Sequence, residues 1–528
     1  MEVRSGEIVR LMVLHDFLHR SAEQFPAKTA IICEGRRVTY AELEASSNRL
    51  ARSLLGRGLK RGDRVGVFLD NSIESAVSIF GILKAGAAFV VINPQTKTDK
   101  LAYMLNNCAA KGLITHTKYL PMAEESAATV PSLGSVLVSG LSVGDSDDRF
   151  LSLEATLEAE QDGPLEVRCI DMDLAAIIYT SGTTGLPKGV TMTHLNMVSA
   201  STSITTYIGN VPDDIVINVL PLSFDYGLYQ LLMCTQVGMT LVLEKSFAYP
   251  YRVVERVEQE RVTGFPGVPT VFAMLLQLSD IRERDFSSVR YVTNTAAALP
   301  PQHIMELKEL FPTARIFSMY GVTESKRCTY MPPEELDARP SSVGKAIPNE
   351  EVWIVKEDGS LAAPGEVGEL VVRGSNVMQG YWNMPDETAE VLRPGKYPWE
   401  KVLYTGDLFK MDEEGYLYFV SRKDDIIKSR GEKVSPKEIE TAIYDLDGVA
   451  DVAVVGVDDE LLGQAIKAYV VLREGAEIAE KDVIAWCRAR LEAFMVPKYV
   501  EFVDDLPKTA SGKVSRTRLS VSGPKSNE

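Results

Sequence analysis

Twelve residues, YTSGTTGLPKGV at Tyr179–Val190, concentrate groups suited to one kind of ligand. Thr180, Ser181, Thr183 and Thr184 can donate hydroxyl hydrogen bonds, Gly182, Gly185 and Gly189 let backbone N–H groups approach closely, and Lys188 adds a mobile positive charge. These are the needs of a polyphosphate. The G-x-x-x-x-G-K-[ST] spacing of a P-loop is absent, which disfavours a P-loop NTPase; the competing reading is an ordinary Ser/Thr/Gly surface turn.

Other stretches offer complementary groups. YGVTE, Tyr320–Glu324, supplies a carboxylate apt for a hard, oxygen-loving cation bridging phosphates. YTGD, Tyr404–Asp407, places an aspartate in what reads as a strand-end turn. In PLSFDYGLYQ, Pro221–Gln230, Asp225 stands among apolar neighbours, where an isolated carboxylate is costly unless a cation or hydrogen bonds satisfy it. Asp225 is therefore expected either to meet a cation or to cap a helix starting at Tyr226, a role contributing about 1 kcal/mol, and both can hold.

The elements that must position these groups read as α/β. Ala76–Ala85 then Ala88–Ile92 is a helix-then-strand unit, DIVINVL then GLYQLLMC a strand-then-helix unit, and MTLVLE and RYVTNT add strands around a helix at Tyr251–Glu260. That alternation predicts mainly parallel, helix-covered sheets. Near residue 365, PGEVGELVVRG and DEEGYLYFVSRKDD alternate apolar and polar residues, which predicts an antiparallel, barrel-like subdomain. From Asp424 a small α+β domain follows. Its first helix is expected to open on a Ser435/Glu438 capping box with Pro436 at the first position and to bury Ile439, Ala442, Ile443 and Leu446. Strands at Val449–Val457 and Ile466–Leu472 and a helix carrying Val483, Ile484, Cys487 and Leu491 complete it. The expected domains are 1–423 and 424–528.

Composition bounds the function. A chain of 528 residues, 45% hydrophobic and 24% charged, has room for several cores, and its net charge of -17 disfavours non-specific binding to nucleic acid or anionic membrane. The six cysteines are scattered without a C-x-x-C pair and read as small buried residues of a reducing compartment. No secretion signal is evident, and the most apolar window, Ala76–Ile92, is interrupted by Lys84 and too short to span a bilayer. A cytoplasmic enzyme or binding protein is expected.

From about Leu14 to about Arg518 the motifs, in order, resemble those of the adenylate-forming superfamily of acyl-CoA synthetases, aryl-CoA ligases, luciferases and nonribosomal adenylation domains. The resemblance implies ATP and Mg²⁺, with Tyr320 on the adenine, Thr323 at the α-phosphate, Glu324 on Mg²⁺ and Asp407 accepting from the ribose. In SRKDDIIKSRGEKVSPKEIE it implies a ribose contact for Arg422, an interdomain hinge at Asp424 and a nucleotide contact for Lys428, with Ser421 where the family commonly has Gly. In LPKTASGKV it implies that Lys513 reaches the active site and that the small domain rotates about Asp424 between half-reactions, presenting the loop near Gly431 to the thiol.

Within the family, ligases of acyl and aryl acids often carry His where this chain has Phe224, whereas the amino-acid-activating branch carries Phe followed by Asp. That match implies that Asp225 pairs with a substrate ammonium, and on it Phe224, Asp225, Tyr229, Asn294, Thr295 and Arg327 are expected to line the acid pocket, Lys326 and Arg327 either facing it and binding a second carboxylate or polar tail, or lying solvated. The sequence looks most similar to freestanding amino acid ligases that load carrier proteins, and to ligases of exosortase loci. The expectation is an α-, imino- or β-amino acid passed to the phosphopantetheine of a separate carrier protein, in a secondary-metabolite pathway. The alternatives are an acyl-CoA synthetase for an acid lacking an amine and a catalytically silent binding module. Lys513→Ala is expected to block adenylate formation and to spare thioester formation from pre-made adenylate, measured as separate half-reactions; equal loss in both would contradict the assigned role.

Overall fold

The computed structural model describes residues 13–167, 169–180, 186–429, 432–459, 463–508 and 514–520. The chain divides into two compact units: Met1–Ser341 with Ala346–Glu351 and Val372–Leu403, and Ser342–Lys345 with Val352–Val371 and Tyr404–Glu528.

In the first unit an eight-stranded sheet runs, neighbour by neighbour, through Gly380–Tyr381, Lys188–Thr193, Leu174–Thr180, Ala88–Val91, Arg64–Phe68, Gly112–His116, Ser135–Ser139 and Phe150–Ser152. Its inner strands are short β-branched and aromatic runs buried on both faces, AFVV at Ala88–Val91 among them, the pattern of a parallel sheet under helices. The helix Ile73–Lys84 opens on Ser72, whose hydroxyl accepts from the Ser75 N–H. Gly81 lets this helix lie against Tyr40–Gly56, since a Cβ there would stand 2.7 Å from Leu50 Cδ2. Lys84, which interrupts the apolar window, is buried against Glu44 and donates to Asn48 Oδ1 at 2.7 Å.

A second sheet of this unit runs through Thr329–Tyr330, Arg315–Tyr320, Tyr291–Asn294, Gly264–Gly267, Ile215–Asn218, Thr240–Leu243, Thr29–Cys33 and Arg36–Thr39. The pairings from Arg315–Tyr320 to Thr29–Cys33 are parallel. Register places Gly267 beside Asn294 and Asn294 beside Ser318, so two strands finish together at their carboxyl ends and Arg315–Tyr320 runs two residues past them. In open parallel sheets that end is where ligands bind.

The second unit turns antiparallel, as the alternating texture predicted: Lys401–Met411 pairs with Leu417–Arg422, Asp407 opposite Arg422. Beyond it a five-stranded sheet of Glu432–Val434, Ile427–Ser429, Gly463–Leu472, Val449–Asp459 and Tyr499–Phe502 shares a core with helices Pro436–Tyr444 and Glu480–Arg488, burying Ile439, Ile443, Val483 and Cys487. The expected capping box does not form. Ser435 stands at the N-cap, but its hydroxyl donates to the Val420 carbonyl at 2.7 Å, and Pro436 at the first helical position has no N–H to satisfy.

Five of the six cysteines are buried and none is in a disulfide; burial pushes the Cys33, Cys108 and Cys487 thiols up to about 11. No helix among the described residues is long and apolar enough to cross a membrane.

The segment that carries LPKTASGKV is tied at its base. Lys508 and Val514 form an isolated antiparallel bridge, and Arg516 donates to Asp425 Oδ2 at 2.9 Å and to Glu440 Oε1 at 2.6 Å. Glu440 is buried and also accepts from the Val454 N–H at 3.0 Å. Arg516→Ala leaves that carboxylate without its main cation and is expected to destabilise the second unit by roughly 2–4 kcal/mol in denaturant titration, with Arg516→Lys losing less. An unchanged midpoint would contradict this.

Candidate active site

The strand Leu174–Thr180 turns back antiparallel into Lys188–Thr193, pairing Thr180 with Lys188. The opening loop therefore joins two neighbouring strands, a geometry different from the strand-to-helix turn of a P-loop. Ser181, Gly182, Thr183 and Thr184 lie outside the described residues. Tyr179 anchors the entry to the loop, its hydroxyl donating to Asn107 Oδ1 at 2.6 Å. Gly189 serves packing, contrary to the expectation that it admits a ligand: a Cβ there would meet Ile177 Cγ2 at 2.8 Å and the Tyr179 ring at 3.2 Å.

Lys188 and Glu324 come together through a residue the sequence did not single out. The Lys188 ammonium stands 5.2 Å from the centroid of the Tyr381 ring, and the Tyr381 hydroxyl donates to Glu324 Oε1 at 2.8 Å. The Met378 N–H donates to the Glu324 carbonyl at 2.7 Å. Loop cation, aromatic spacer and carboxylate thus form one row.

YGVTE begins at the last residue of the strand Arg315–Tyr320 and opens a hairpin that returns through Thr329–Tyr330. The turn is tight. Both the Ser325 and Lys326 N–H groups donate to the Val322 carbonyl, and the Cys328 N–H donates back to the Tyr320 carbonyl at 2.9 Å. Gly321 is required by close approach, because a Cβ there would stand 2.1 Å from the Lys326 carbonyl oxygen. Asn376 clamps the far side, its side-chain N–H₂ within 2.6 Å of the Ser325 carbonyl and 3.2 Å of the Arg327 carbonyl. Between those two carbonyls Lys326 takes a φ of +69°, a left-handed conformation costing a non-glycine residue on the order of 1 kcal/mol. Tyr320, Thr323 and Glu324 are half-buried.

Lys326 and Arg327 are buried, at 1% and 4% exposure, so the solvated reading is excluded. The Arg327 guanidinium lies 4.7 Å over the Tyr226 ring and donates to Thr295 Oγ1 at 3.4 Å. Burial pulls the Lys326 amine down to about 8; Asp225 and then Glu324 counter that by attraction, and Arg327 adds to it. Asp225 is the first residue of the helix Asp225–Val237, with Phe224 at the N-cap. The capping alternative for Asp225 is therefore corrected: its carboxylate sits in the first turn, where the helix dipole favours it. Four residues on, Tyr229 is buried, and desolvation, with Asp225 next, raises its phenol well above the usual range. Tyr226 donates to the Thr293 carbonyl at 2.8 Å, tying this helix to the strand Tyr291–Asn294, and Asn294 donates to the Ala297 carbonyl at 2.9 Å. Asp225, Tyr229, Asn294, Thr295 and Arg327 are thus buried, on elements joined by these contacts; Phe224 is half-buried, edge-on to Tyr226.

In the second unit, Asp407 is buried within the strand Lys401–Met411 instead of ending one, and pairs with Arg422 Nε at 3.2 Å. Ser421 is accommodated in the strand Leu417–Arg422, its hydroxyl donating to the Arg422 carbonyl at 3.0 Å. Asp424 is exposed in the 3-10 turn Lys423–Asp425. The Lys428 side chain, Gly431 and Lys513 lie outside the described residues.

This fold and row of motifs define an adenylate-forming enzyme. A model of the AMP-binding enzyme family matches residues 18–382, and one of the family's C-terminal domain matches 438–513; the chain belongs to this family of ATP-dependent, AMP-forming ligases. The long-chain-fatty-acid–CoA ligase of Bacillus subtilis (strain 168) is 33% identical, covering 96% of this chain and 94% of its own. Among solved structures, the anthranilate CoA ligase AuaEII in complex with anthranoyl-AMP superposes with a TM-score of 0.89 at 27% identity over 98% of each chain. ATP-bound MatB from Rhodopseudomonas palustris gives 0.87 at 30% identity, over 97% of this chain and 99% of its own. Acid–CoA ligases predominate among the relatives, so the finer likeness to freestanding amino acid ligases is not what the comparisons bring out.

Tyr381 and Asn376 carry no local pattern that would have found them; their roles come from contacts with residues about fifty positions away. Tyr381→Phe removes one charged-acceptor hydrogen bond from Glu324. It is expected to lower the rate of acid-dependent ATP/pyrophosphate exchange roughly tenfold, with the loss partly restored at high Mg²⁺. Wild-type rates at every Mg²⁺ concentration would contradict a role for the row.

Proposed function

We propose that this protein is an acid–CoA ligase that activates a carboxylic acid lacking an amine as its acyl-adenylate and transfers the acyl group to the thiol of coenzyme A. The observation that carries this reading is the cation beside Asp225. The amino-acid reading took a substrate ammonium as the cation for a buried carboxylate; the buried Lys326 ammonium is a cation of the protein's own within electrostatic reach of Asp225. The predominance of acid–CoA ligases among the relatives supports the same choice.

The chemistry accounts for the groups. A carboxylate is a poor electrophile until coupled to the α-phosphate of ATP, when AMP becomes the leaving group and pyrophosphate departs. Attack brings two anions into line, so the catalyst must position them and offset their repulsion. Lys188 and the hydroxyls of the 180–184 loop are assigned to the phosphates, Thr323 to the α-phosphate and Tyr320 to the adenine. Asp407, held by Arg422, is assigned to the ribose, and Lys428 and Lys513 keep the roles their motifs imply. Glu324 fits Mg²⁺: it is one carboxylate oriented by Tyr381, as suits a cation that takes its remaining ligands from phosphate oxygens and water. Bound there, Mg²⁺ would neutralise phosphate charge.

The test pairs exchange with thioester formation. With ATP, Mg²⁺ and CoA, acids lacking an amine are expected to drive both pyrophosphate exchange and CoA thioester formation, while matched α-, imino- and β-amino acids drive neither above a few per cent. Exchange dependent on an amino acid, lost in Asp225→Ala, would overturn the proposal in favour of the amino acid reading.

A further inference from the structure

Several buried donors around Asp225 stand without acceptors. Lys326 Nζ has no hydrogen-bond acceptor, and neither have Arg327 Nε and the Tyr229 hydroxyl, although all three residues are at most 4% exposed. They are neighbours: Tyr229 feels both Asp225 and Arg327, and Lys326 feels Asp225 and Arg327. Each buried donor left without an acceptor costs about 1–3 kcal/mol, more when charged.

The protein's own anions do not settle the account. Asp225 gives one negative charge against the two of Lys326 and Arg327. Glu324 also lies near Lys326, but its carboxylate is held by Tyr381 in the row that leads to Lys188. A lysine is moreover held at this spot against its backbone preference, at φ +69° between two carbonyls clamped by Asn376. Strain and unsatisfied charge together, on a turn that starts in the nucleotide motif, are what a site for an anionic ligand would show.

We infer that the acid activated here carries a second acidic group, which is bound by Lys326 with Arg327 and Tyr229 while the first carboxylate is adenylated. This rests on the acid–CoA ligase reading and narrows it to acids with two anionic ends. Such a group accepts from the ammonium and the phenol and balances the excess positive charge; a plain alkyl chain would leave all three donors unmet. The consequence for specificity is large, because a site built to hydrogen-bond a substrate group rejects an analogue lacking it far more strongly than an apolar pocket rejects a missing methylene.

The experiment compares kcat/KM for CoA thioester formation across straight-chain α,ω-dicarboxylic acids and the methyl-ended monocarboxylic acids of equal chain length. The best dicarboxylic acid is expected to exceed its matched monocarboxylic acid by about a hundredfold. Lys326→Met is expected to bring that ratio near or below one, and Lys326→Arg to keep most of it. Tyr229→Phe, a milder change should Lys326→Met fail to fold, is expected to lower the ratio several-fold. Monocarboxylic acids used as well as or better than their partners would overturn this inference and leave the acid–CoA ligase reading standing. So would a dicarboxylate preference that both Lys326→Met and Tyr229→Phe leave intact. Thioester formation with no acid of either series, or exchange driven only by amino acids, would overturn both.

Discussion

A lysine ammonium buried within electrostatic reach of an aspartate carboxylate, on a turn too tight for any residue but glycine at position 321, is the interaction on which the proposed acid site depends. Lys326 cannot be there by backbone preference, since its φ is left-handed, nor by solvation, since almost none of it meets water. It is fixed by neighbours: Val322 and Tyr320 accept the turn's N–H groups, Asn376 holds the flanking carbonyls, and Asp225 enters from the first turn of another helix.

The phosphate side is organised by the same hairpin. Glu324, two residues before Lys326, faces Tyr381 and through it Lys188, at the foot of the hydroxyl-rich loop. One turn of eight residues thus carries both the carboxylate assigned by the proposal to the nucleotide and the two cations assigned to the acid, and register sets its strand beside Tyr291–Asn294, two residues beyond that strand's end. Parallel strands place residues from distant parts of the chain at one edge, which is why Asp225, Asn294 and Arg327 can act together though a hundred positions separate the first from the last.

Much of this was legible in the sequence. The helix-covered parallel sheets followed from short apolar runs alternating with amphipathic ones, and the change of texture near residue 365 marked the antiparallel strands. The family was readable because the motifs that carry it are local. What was not legible depended on pairing across the chain. Ser435 looked like a capping residue until its hydroxyl was seen to donate to Val420, and Gly189 looked like a ligand-approach glycine until Tyr179 was seen to fill the space. The likeness of Phe224-Asp225 to an amino-acid pocket took Asp225 as lacking a cation, and no spacing rule shows that Lys326, a hundred and one residues later, lies within its electrostatic reach.

The most direct measurement is a crystal structure with AMP or ATP and the acid that gives the fastest thioester formation. The account predicts the reacting carboxylate at the α-phosphate and a second acidic group of the same molecule within hydrogen-bond distance of Lys326 Nζ, with Asp225 contacting no substrate amine. A substrate ammonium seated on Asp225, or an acid whose far end lies away from Lys326, would contradict it.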